Sequence, residues 1–259
     1  MKYHIKNMIP NTVRQKLHPR KIQAFCVGIP KTGTTSVAGM FKQRYRANHE
    51  PEYTIMVDKM YQHYHHRLTD YKFCRFLKKH DKRVWLDINS SCFLGYRPDL
   101  LYRAFPNAKY ILTVREPLSW LKSMFNSNIK YPASIRLFAR WHEVFFEPHK
   151  FSYTRYEAIL KEHNLYPLDS FLKYWVSANS SIKQAIPDNQ LLILNTRQLK
   201  DSTHSLADFL TIDNDSINAQ TTHQNKTEKK YDIVNMIDAN FLQDRIYTLC
   251  DEWTRKLFN

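Results

Sequence analysis

The segment Gly28-Ile29-Pro30-Lys31-Thr32-Gly33-Thr34-Thr35-Ser36 sets two glycines five positions apart, with a lysine between them and four hydroxyl side chains around them. The whole chain has only four glycines, so two this close mark a place where the backbone itself must turn. Their spacing is that of a Walker loop, whose backbone N–H groups and following helix N-terminus cradle an anion. Yet the position after the second glycine, where a nucleotide triphosphatase carries its lysine, is Thr34. Lys31 lies upstream, where its ammonium would reach the outer end of a 5′-phosphate group rather than a β/γ pair. With no ligand, the same residues would simply make a tight strand-to-helix turn.

A second group is Arg115-Glu116-Pro117 with Ser119 and Ser123, at the end of the run Tyr110-Ile111-Leu112-Thr113-Val114. Pro117 suits the first position of a helix, which puts the two serines on one face near the strand-end guanidinium. A forked cation with a hydroxyl matches a terminal phosphate dianion. Asp87, after Val84-Trp85-Leu86, is a candidate general base; a capping aspartate is the competing role. His49-Glu50 falls where the chain returns to the sheet edge and is a candidate for the acceptor site. His63, His65 and His66 lack the partner spacing of a zinc site and read as a helix face, so no metal is expected.

The elements that must position these groups alternate. Apolar runs at 22–29, 83–87, 110–115 and 191–194 read as strands, and 36–45, 134–147 and 168–186 read as helical. This pattern predicts an α/β, three-layer, P-loop-containing fold with a mainly parallel sheet flanked by helices, and ligands at the carboxyl ends of the strands. The expected organisation is a basic N-terminal segment, 1–21, and one α/β domain, 22–259. Neither internal repeats nor low-complexity segments are found.

Composition narrows the function. Among 259 residues the net charge is +15, and 43% hydrophobic residues can fill a core, which excludes a disordered or collagen-like chain. Residues 1–50 hold ten Lys or Arg against Glu50 alone, so most of the excess is local. Nucleic acid, an anionic membrane and a small polyanion are the partners such a field draws. Zinc-finger spacing, RNA-binding aromatic motifs and lysine-rich tails are all missing, so no nucleic acid is expected. Cys26, Cys74, Cys92 and Cys250 form no CxxC pair, and no run is long enough for a membrane span or shaped like a secretory signal. The expected location is cytoplasmic. Ile5, Ile9, Val13 and Leu17 recur every four residues among basic ones, a segment suited to peripheral membrane contact through residues 1–20 or to packing on the domain.

Pro30-Lys31-Thr32-Gly33-Thr34-Thr35-Ser36 resembles the 5′-phosphosulfate loop of sulfotransferases that use 3′-phosphoadenylyl sulfate (PAPS). The stretch from Tyr110 to Pro117, with Ser119 and Ser123, resembles the same family's 3′-phosphate motif. The resemblance runs from about residue 22 to residue 230 and is closest in pattern to carbohydrate-type sulfotransferases. It implies PAPS as sulfuryl donor, no metal, and a hydroxyl or amine acceptor, with a carbohydrate or glycolipid among the possibilities. It also implies that Arg115 and Ser123 hold the 3′-phosphate, that Lys226 in a late polar loop covers it, and that Lys31 serves catalysis. Asp87 then stands where carbohydrate sulfotransferases carry a strand-end glutamate. Two rival readings stay open: a P-loop kinase with Asp87 as Mg²⁺ ligand, and a nonenzymatic binder of anionic surfaces. Acceptor identity and oligomeric state are not written in the sequence.

Overall fold

The computed structural model describes residues 15–221 and 231–258. In chain order the elements are β1 (Ala24–Cys26), α1 (Thr34–Phe41), β2 (Ala47–His49), α2 (Tyr53–Tyr64), α3 (Asp70–Val84), β3 (Ile88–Ser90), α4 (Pro98–Ala104) and β4 (Lys109–Val114). They continue with α5 (Pro117–Lys130), α6 (Arg136–Phe146), α7 (Ala158–Glu162), α8 (Leu168–Ala185), β5 (Leu191–Asn195), α9 (Thr203–Leu210) and α10 (Ala239–Phe258). The five strands are all parallel, in the order β2-β3-β1-β4-β5. From β1 the chain first builds outward on one side, through β2 and β3, and then crosses to β4 on the other. The crevice beyond the carboxyl ends of β1 and β4 is therefore the switch point where such sheets bind ligands.

The strand period of two sorts residues between two cores. Ala24, Cys26 and Ile111 face α1 and α9, packing with Val37, Phe41 and Leu206. Phe25, Val27, Tyr110, Leu112 and Val114 face the opposite side, against Trp120, Phe171 and Trp175 from α5 and α8. Helices thus cover both faces, as the alternation of runs predicts.

One expected strand is corrected. Residues 83–87 do not form one: Arg83 and Val84 end α3, and Trp85 closes that helix in the left-handed conformation, with φ 49°. The buried residues of α3, Phe73, Cys74, Leu77, His80 and Asp81, follow the helical period and carry the pattern past the apolar run. Strand β3 begins only at Ile88, so Asp87 precedes it and lies at the amino end of the sheet.

There Asp87 is a brace. Its carboxylate accepts from Arg46 Nε at 2.9 Å and Nη2 at 3.0 Å, and from the backbone N–H groups of Arg46 and Lys21 at 3.0 and 2.8 Å. Burial opposes its charge, but the Arg46 guanidinium and these N–H groups prevail and hold the carboxyl below its ordinary value. The chain before β1 is tied down nearby, with Arg20 donating to both Asp81 oxygens at 3.0 Å and the Arg46 and Trp85 side chains donating to the His18 carbonyl. Residues 1–14, which include Ile5, Ile9 and Val13, lie outside the described residues. No described helix is long and apolar enough to cross a membrane.

Candidate active site at the carboxyl edge of the sheet

The turn after β1 is held by hydrogen bonds to its carbonyl groups. Those of Ile29, Pro30, Lys31, Thr32, Gly33 and Thr34 accept, in order, from Thr32 Oγ1 (2.7 Å), Trp120 Nε1 (2.8 Å), Arg115 Nη1 (3.3 Å), Thr196 Oγ1 (2.5 Å), Val37 N (3.0 Å) and Ser90 Oγ (2.7 Å). Six successive carbonyl acceptors of the loop are thus taken, which fixes its course beside the cavity. Lys31 at φ 68° and Gly33 at φ 104° make the turn. A Cβ on Gly28 would stand 1.9 Å from Thr113 Oγ1, so only glycine lets β1 pass β4 this closely.

The cavity encloses about 460 Å³ and is lined by Pro30, Lys31, Gly33, Thr34, Thr35 and Ser36 of the loop. His49, Glu50, Arg115 and Ser123 also line it. Most of the predicted site residues therefore converge on one space. Thr32 does not face it: wholly buried, its hydroxyl hydrogen-bonds to Ile29 and Thr113 and stiffens the loop from behind. Asp87 is at the other end of the sheet, which removes it as the base and as a metal ligand beside the loop. Lys226 lies outside the described residues.

Three cations meet here without a carboxylate partner among the described residues. Burial lowers the Lys31 ammonium's proton affinity, and nearby Arg115 and Lys130 lower it further. Arg115 is likewise depressed, first by burial and then by Arg197. Its Nε donates to Ser119 Oγ at 2.9 Å, which orients the guanidinium, while Ser123, one turn on, faces the cavity. Positive charge concentrated in a half-buried cleft attracts anions.

Glu50 supplies the one carboxylate in the described lining. It follows β2 directly, and its Oε1 accepts from the Cys92 thiol at 3.1 Å and lies 3.5 Å from His49 Nε2. His49 Nε2 also lies 3.1 and 3.2 Å from the hydroxyls of Thr34 and Thr35, which links the carboxylate to the loop. Burial, and then Glu50, push the Cys92 thiol well above its usual range, so it stays protonated and a donor. Burial lowers the His49 pKa against the pull of Glu50, leaving the ring neutral at pH 7. Cys92, Ser90, Thr113, Trp120 and Thr196 escaped sequence reading because no motif spaces them; only the strand order brings them to the loop.

The three clustered histidines are elsewhere. His63 is held between Tyr96 and Asp70, and His65 lies 2.9 Å from Glu143. Among the described residues no group of three or more His, Cys, Asp or Glu is placed to hold a metal ion.

The loop after β1 and the arginine at the end of β4 thus share one basic cavity at the carboxyl edge of an all-parallel sheet. A family model described as a sulfotransferase domain matches residues 23–229, and the chain belongs to that family. A sulfotransferase from Alicyclobacillus acidocaldarius, known from its crystal structure, is similar over 89% of this chain and 96% of its own, at 16% identity and a TM-score of 0.43. No curated protein matches the chain.

Proposed function

We propose that this sulfotransferase moves a sulfuryl group from PAPS to an acceptor hydroxyl, with Glu50 as the general base. The observation that carries the reading is the meeting, in one cavity, of Lys31, Arg115 and Lys130, none with a carboxylate partner among the described residues, with the carboxylate of Glu50. The loop donors and Lys31 fit a 5′-phosphosulfate, and Arg115 with Ser123 fits a 3′-phosphate. The donor set therefore suits a nucleotide charged at both ends of its ribose. The Oε1 atom of Glu50 accepts from Cys92 and lies beside His49, contacts that orient the carboxylate proposed to take the acceptor's proton. As the acceptor oxygen bonds to sulfur, the bridging S–O bond breaks and its electron pair passes to the phosphate oxygen. Lys31 and the loop N–H groups offset the charge that grows there.

The kinase reading has less support, since Asp87, its Mg²⁺ ligand, precedes β3 and pairs with Arg46 at the amino end of the sheet, away from the loop. A thermal-shift comparison tests the choice. Adenosine 3′,5′-bisphosphate should raise the melting temperature strongly without metal, and ADP or ATP with Mg²⁺ should do so weakly. Equal shifts would sink the assignment. Cytoplasmic location and membrane contact through the basic N-terminal residues stay proposals of the same kind, supported by charge and composition alone.

A further inference from the structure

The half of the cavity beyond the phosphate loop is walled by aromatic rings. Phe93 directly follows Cys92, whose thiol holds Glu50, so the wall begins beside the base. The Trp141 ring meets Phe93 edge-on with centroids 6.4 Å apart, and these two side chains are 8% and 6% exposed. Phe138, one turn earlier on α6, packs at 5.1 Å against Tyr131 at the end of α5. Tyr131 and Tyr53, 40% and 42% exposed, complete the outer lip.

What the lining lacks is equally specific. Among the described residues it contains no Asp, Asn or Gln, and Lys130 is its one cation besides Lys31 and Arg115. A sugar presents several hydroxyls besides the one that reacts, and each left unpaired in a buried site weakens binding. A polyanionic chain needs a row of cations, and Lys31 and Arg115 are committed to the donor. One reacting hydroxyl on an apolar ring asks only for Glu50 and the aromatic wall.

Resting on the sulfotransferase reading, we infer that the acceptor is a small uncharged ring alcohol with an apolar body, of the phenol or naphthol type, rather than a carbohydrate. With PAPS and the full-length protein, kcat/KM for 2-naphthol should exceed that for N-acetylglucosamine or its oligomers by at least about a hundredfold. Phe138 is half-buried, so Phe138→Gln keeps the fold; it should raise KM for 2-naphthol about tenfold while adenosine 3′,5′-bisphosphate binds as before. Trp141→Leu should do the same, with melting temperature as the check on folding. Equal or better transfer to the sugars overturns the inference. So does donor-product binding without transfer to 2-naphthol, and so does a parallel loss of bisphosphate affinity in both variants, which would give the rings to the nucleotide. Failure of the unmutated protein to bind the bisphosphate would instead overturn the sulfotransferase reading itself.

Discussion

Glu50, Lys31 and Asp87 show how neighbours decide what a charged residue does. A general base is worth about 10²–10⁴ in rate, so if Glu50 has the proposed role Glu50→Gln should lose that factor in single-turnover transfer while adenosine 3′,5′-bisphosphate binds unchanged. Lys31 yields a prediction about pH. Its proton is held less tightly than an ordinary lysine's, and a bound polyanion restores it, so affinity for the bisphosphate should fall as pH rises through a range below that of free lysine. Titration calorimetry across pH checks this, and Lys31→Arg, which cannot lose its charge, should flatten the limb. Asp87 behaves otherwise. Its folded pKa is depressed, so its contribution to stability is present at neutral pH and lost as pH falls through the acid end of the carboxylate range. Asp87→Asn should cost about 2 kcal/mol of folding stability, read by urea denaturation, with turnover per folded molecule near normal.

At the scale of elements, the phosphate loop is held by side chains from its neighbours rather than by its own sequence. The Thr196 hydroxyl lies 2.5 Å from the Thr32 carbonyl and 2.8 Å from that of Val114, with its one proton shared between them, and so ties the end of β5 to the loop and to β4. Thr196→Val keeps the shape and strands both acceptors; bisphosphate affinity should drop about tenfold, measured by calorimetry, with a melting temperature only slightly lowered. The loop, Arg115 and the helices α6 and α8 were legible because glycine spacing and apolar periodicity are local signals, whereas α3 and the 20-residue α10 were not read. Strand β4 declared itself through five apolar or β-branched residues in a row. Strand β3 did not: two of its three residues are Asn89 and Ser90, and Ser90 is polar because it must reach the Thr34 carbonyl. The apolar run just upstream took its place in the reading and carried Asp87 to the wrong end of the sheet. Glu50 was noticed only as an acceptor-site candidate, since Ala47-Asn48-His49 is too short and polar to announce a strand end. The sheet order alone sets it opposite the loop.

For the whole molecule, a charge of +15 makes the protein a collector of anions. Association of a multiply charged nucleotide should therefore slow as salt rises from about 0.01 to 0.15 M, where the screening length falls from about 30 to 8 Å, and stopped-flow mixing reads that rate. Dissociation, governed by contacts inside the cavity, should change far less. The way the loop is clamped also bears on how the chain reaches its native state. Its ties run to Ser90, Trp120 and Thr196, and the last of these joins residues 164 positions apart. Pairings so distant close only after β5 has docked on β4, so the cradle takes shape late, after most of the chain is already ordered. A nucleotide finds nothing to hold before then. It should act as a brake on unfolding, slowing that rate in proportion to its occupancy, and leave the rate of refolding untouched.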